Sequence, residues 1–123
     1  MFNILNNDFK LLSKYKKFLL DLDGLLENVP RKDLFYKDKI KETGLKLLDN
    51  ILKASYDEDK SKYFVLAKSN MALLDFEIER LHDKGYISEK AMNSVGLKLV
   101  EINRMLTAWI NNGGKNDKNI ESK

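Results

Sequence analysis

His82 is the only histidine of the 123-residue chain, and it closes the run Glu79-Arg80-Leu81-His82. On a helix that spacing sets a carboxylate and an imidazole one turn apart, half the ligand set of a di-iron carboxylate centre. The other half needs a second histidine, so the run is read as helix surface, with His82 favoured near a helix C-terminus by the dipole there. His82-Asp83 alone likewise does not make a metal-dependent hydrolase site. Asp21-Leu22-Asp23-Gly24 opens like a calcium loop, but the glutamate that closes such a loop is missing and the apolar period runs straight through it. With no cysteine there is neither a disulfide framework nor a thiolate zinc site. No glycine-rich phosphate loop is present, and no nucleophile has an imidazole base at hand. The expectation is a protein without catalytic residues, metal, cofactor or small-molecule substrate.

The chemistry that remains is that of cations. Lys32, Lys39, Lys46 and Lys53 recur every seven residues, so their ammonium groups follow one helix edge. Lys10, Lys14 and Lys17 repeat at i, i+4 and i+7, and Arg31-Lys32 falls in a turn. Grouped cations of this kind neutralise phosphates and release counterions, the sequence-independent part of nucleic-acid affinity. The competing reading is a solvated, salt-bridged face, since Asp38, Glu42 and Asp49 lie close by. Homo-oligomerisation would favour the first reading, because symmetry repeats a weak patch around a ring. The overall balance of 22 basic to 19 acidic side chains permits an acidic partner without demanding one.

Four stretches of helical period carry these residues. Leu12, Tyr15, Leu19, Leu22, Leu26 and Val29 form one stripe, edged by Leu11, Phe18 and Leu25, on a helix expected from about Asp8, its N-cap, to Asn28, where Pro30 stops it. A second helix starts near Asp33, buries Ile40, Gly44, Leu47 and Ile51, and ends before the polar run Tyr56-Asp57-Glu58-Asp59. The third presents Tyr63, Ala67, Asn70, Met71, Leu74, Ile78 and Leu81 and closes at Gly85 in the left-handed conformation. Ser88 caps the fourth, which presents Met92, Val95, Leu99, Ile102, Leu106 and Trp109 and ends at Gly113-Gly114. Short connections between long helices imply an all-α, antiparallel up-down-up-down four-helix bundle over residues 8–112. Residues 1–7 are expected as an N-terminal arm and 113–123 as a disordered polar tail. The chain shows neither a signal peptide nor an apolar run long enough for a membrane span, which suits a cytoplasmic protein.

Helix two carries more apolar surface than a bundle core needs. Leu45, Leu48 and Leu52 widen its face by roughly 100°. They read either as a subunit interface or as the ordinary consequence of one helix touching two others. Gly44 and Gly96, each costing about 1 kcal/mol inside a helix, are expected to allow close approach of neighbouring helices.

Three segments carry a likeness to a known family. They are the turn Asn28-Val29-Pro30-Arg31-Lys32, the stretch Leu81-His82-Asp83-Lys84-Gly85-Tyr86-Ile87-Ser88, and the close Glu101-Ile102-Asn103-Arg104-Met105-Leu106-Thr107-Ala108-Trp109-Ile110. In this order and spacing, from about Tyr15 to Ile110, the chain resembles the accessory variability determinant, Avd, the small partner of the reverse transcriptase in diversity-generating retroelements. Avd belongs to a wider group of four-helix bundles that includes proteins encoded in intervening sequences of 23S ribosomal RNA genes.

The resemblance implies a non-enzymatic homopentamer, a basic ring that binds the reverse transcriptase and its template RNA and supports mutagenic cDNA synthesis. Arg31 and Lys32 match the family's turn, and Arg104 and Trp109 its last-helix pattern. The third helix departs from the family, placing Asp75, Glu77 and Glu79 where relatives tend to carry arginines. An oligomeric interaction or scaffold bundle without nucleic-acid affinity is the alternative. No membrane is expected as a partner in either case.

Overall fold

The computed structural model describes residues 9–115, and they fold into four α-helices and one short 3-10 turn without strands. Helix α1 spans Lys10–Leu26, α2 Leu34–Tyr56, α3 Ser61–Asp83 and α4 Glu89–Asn111, with the 3-10 turn at Arg31–Asp33. Each helix packs against two neighbours in the closed order α1, α2, α3, α4, with the α2–α3 seam the most extensive. Side-chain pairs fix the directions. Lys14 meets Glu101 while Asp21 meets Lys98. Tyr36 reaches Glu77 while Asn50 meets Asn70. In both seams the partner's number falls as the first number rises, so the helices run antiparallel, and the short 57–60 and 84–88 connections demand the same.

The core follows the apolar stripes. Tyr15, Leu22, Leu26, Ile40, Leu47, Ile51, Leu74, Leu81, Ile102 and Leu106 are essentially sealed from solvent. Leu11 and Phe18, expected on the edge of the α1 stripe, are as deeply buried as its centre and Leu25 is nearly so, because α1 lies between α2 and α4, whereas Leu19 of the stripe itself is only partly buried. Tyr15 donates its hydroxyl to the Gly44 carbonyl at 2.6 Å, which only a close α1–α2 approach permits. A Cβ on Gly44 would lie 3.1 Å from Leu19 Cδ2, whereas one on Gly96 would meet nothing within 4 Å. Close packing therefore explains Gly44 and does not explain Gly96.

The helix ends follow local chemistry. Gly85 (φ 80°) and Gly113 (φ 73°) each close a helix, with the N–H of the next residue returning to the carbonyl five back, Tyr86 to Leu81 and Gly114 to Trp109. Ser88 Oγ accepts from Ala91 N–H. At α1 the cap is Phe9 rather than Asp8, which lies outside the described residues. Phe9 is apolar and buried, and its ring sits 5.0 Å from that of Trp109. Lys32, grouped by spacing with the α2 lysines, belongs to the 3-10 turn, which ends the seven-residue series one member early. Of the expected tail, 113–115 are described and Gly114 is buried under Lys60 and Phe64. The arm at 1–7 and the rest of the tail lie outside the described residues.

Candidate nucleic-acid and partner interface

The helices divide the cations into separate edges. On α1, Lys10, Lys14 and Lys17 line a hollow of about 280 Å³ against Glu101 and Met105 of α4. Lys14 bonds Glu101 at 2.9 Å, and the pair holds the Glu101 carboxyl below the usual glutamate range. Lys98 and Arg104 stand three residues to either side of Glu101, which enlarges this basic edge. Lys98 in turn binds Asp21 at 2.9 Å.

Thr43 and Asn50, buried in the α2–α3 seam, bracket Lys46 on one side of α2, and Lys39 and Lys53 extend that side by one turn each way. Here the ammoniums are already engaged. Glu42 bridges Lys46 at 3.0 Å and Lys39 at 3.6 Å, and Asp49 holds Lys53 at 3.0 Å. The Lys46 hydrogen bond, followed by the Lys39 charge, lowers the Glu42 pKa. Three lysines thus stand against two carboxylates, and any phosphate must compete with those carboxylates for them. The α1 and α2 cations rim different seams, so the structure does not bring them together.

Arg31 and Lys32 are exposed at the end of the bundle. Their turn is pinned by Asp33, whose carboxylate accepts from Tyr86 and from Lys84 in the α3–α4 turn. The Tyr86 bond, with Lys84 nearby, draws the Asp33 pKa below its ordinary value. The two turns at this end are therefore fastened to each other, and the fastening keeps Arg31 and Lys32 on the surface.

Of the α2 leucines, Leu45 is 60% exposed, while Leu48 and Leu52 are half-buried and pack against the core. Exposed apolar surface lies also at the ends of α2, on Leu34, Phe35 and Tyr56, and along α3, where Val65, Leu66, Leu73 and Phe76 stand in solvent. Sequence periodicity does not single the α3 residues out, because α3 is apolar on nearly every side. The acidic residues of α3 also separate. Asp75 and Glu79 are exposed on the α4 side, whereas Glu77 is buried in the α2 seam. Burial raises the Glu77 pKa against a hydrogen bond from Thr43, with Glu42 adding to the rise, and its Oε1 has no hydrogen-bond partner among the described residues. His82 is half-buried and 3.8 Å from Asp83.

The described residues define an all-helical four-helix bundle in which no helix is long and apolar enough to cross a membrane. No protein-family model matches the chain, and a search of curated proteins gave no match.

Proposed function

We propose that this chain is a non-enzymatic accessory subunit of the Avd type, binding a reverse transcriptase and its template RNA within a ring-shaped homo-oligomer, a pentamer by resemblance. The observation that carries the reading is the ordered likeness of three segments over a four-helix bundle, two of which form the turns joined through Asp33 and Tyr86. The exposed Arg31 and Lys32 support a role for that end in meeting phosphate, and the α1–α4 edge of Lys10, Lys14 and Lys17 supports a second point of attachment. Leu45, with Leu48 and Leu52 beside it, offers apolar surface for the contact between subunits.

The test is charge reversal at Lys39, Lys46 and Lys53 together, all half-exposed and so replaceable without disturbing the core. Weaker binding of RNA or transcriptase by a folded variant is expected. For each phosphate of a single strand that the variant no longer neutralises, the log–log salt slope becomes shallower by about 0.7. Unchanged binding would remove that edge from the mechanism.

The second reading, an interaction bundle without RNA affinity, is favoured by the ion-paired state of the α2 lysines and by the apolar α3 surface. It expects association that depends on apolar contacts and hardly on salt.

A further inference from the structure

We infer that the α3–α4 face is a docking surface for a basic amphipathic helix of a partner protein. The inference does not rest on the transcriptase reading. Val65, Leu66, Ser69, Ala72, Leu73 and Phe76 are all exposed and all uncharged, over three turns of α3, in a chain of which 33% is charged. Contiguous apolar surface of this kind marks association. Of these six, Ala72 lines a groove toward α4 made of two adjoining hollows, about 300 and 650 Å³, which share Asp75 and Val100. Met71, Ile78 and Leu99 form the floor, and Leu97 and Val100, 72% and 56% exposed, form the far wall. Gly96 leaves that wall open, with free space where a Cβ would stand. From the level of Lys68 to that of Asp83 the groove runs ~22 Å, the length of about four turns of a docked helix.

Charge selects the occupant. Asp75, Glu79 and Asp83 recur every fourth residue along the α3 side of the groove, ~6 Å apart. Among the described residues Asp75 and Glu79 form no ion pair, and Asp83 has only His82. A helix with an apolar stripe flanked by Lys or Arg every fourth residue satisfies groove and carboxylates together.

The experiment is fluorescence anisotropy on the full chain with two labelled helical peptides of about 14 residues, ~21 Å long. One repeats Leu-Lys-Lys-Leu-Leu-Lys-Leu and the other carries Glu for each Lys. The net charge of +3 favours the acidic peptide by bulk electrostatics. The expected result is the reverse, with the basic peptide bound about tenfold tighter or more. The double variant Asp75→Lys/Glu79→Lys and, separately, Val100→Glu are each expected to weaken that binding about tenfold. Leu20→Glu, on an exposed α1 position outside the groove, leaves it unchanged. Equal binding of the two peptides, or binding indifferent to the groove variants, overturns the inference. So does self-association that Val100→Glu disperses, since a second copy then closes the face.

Discussion

Replacing Glu77 by Gln should stabilise the protein at neutral pH, and the gain should vanish in acid. Glu77 is 7% exposed, with Oε1 unpartnered among the described residues. A hydrogen bond from Thr43 offsets part of the burial without reaching Oε1. A neutral acid or an amide in the same place avoids burying a charge. Leaving a buried polar group unsatisfied costs about 1–3 kcal/mol, which sets the expected gain for Gln at pH 7. For a chain of this size that corresponds to ~3–6 °C in Tm per kcal/mol. The sign with pH follows from the raised pKa. Between the ordinary glutamate range and the raised native value the folded state holds the extra proton, so wild-type stability falls as pH rises through that window. Below the ordinary range the acid is protonated in both states and the gap to Gln closes. Urea melts of both proteins at pH 7 and near pH 4, followed by circular dichroism, measure the gap, and titrations common to both cancel. A Gln variant less stable than wild type at pH 7, or a gap that ignores pH, would refute the reasoning.

Gly96→Ala should raise stability by about 1 kcal/mol, because it gains helix propensity and its Cβ meets nothing, while binding of the basic peptide weakens as the groove wall fills. Gly114→Ala should cost more than Gly113→Ala in thermal melts. Both positions have positive φ, a strain of about 1–2 kcal/mol for alanine, but only at Gly114 would the Cβ strike Lys60 Cδ at 2.6 Å and Phe64 Cζ at 2.9 Å. Tyr86→Phe should move the Asp33 titration, followed by carboxyl carbon NMR, back up toward the ordinary aspartate range. The link it removes is fully present above that range and lost as pH falls through the lowered native value. An unmoved titration would mean that Lys84, not Tyr86, sets the Asp33 charge.

Much of the fold was legible because period and punctuation agree. The stripe from Leu12 to Leu26, apart from the half-buried Leu19, the left-handed glycines at 85 and 113 and the Ser88 cap stand where pattern and turn chemistry place them, although α1 ends at Leu26 rather than Asn28. The interface was less legible, because sequence spacing gives a helix edge but not the seam that edge borders. Lys39 and Lys46 follow one edge as expected, yet Glu42, three and four residues away, holds both. Asp75, Glu77 and Glu79 read as one acidic group, but residues two apart on a helix point to different sides, and only Glu77 turns inward. The apolar face of α3 does not stand out as a stripe because α3 is apolar outside as well as in. One signal was available, since from Val65 to Leu74 only Lys68 is charged.

The central proposal is association with a reverse transcriptase and RNA. Its most direct test is capture of the tagged protein from its own cells at moderate salt, with identification of the proteins and RNA that accompany it. Co-purification of a reverse transcriptase with one defined RNA is the expected result. Recovery of the folded protein with neither would contradict the proposal and leave the likeness to Avd as one of architecture.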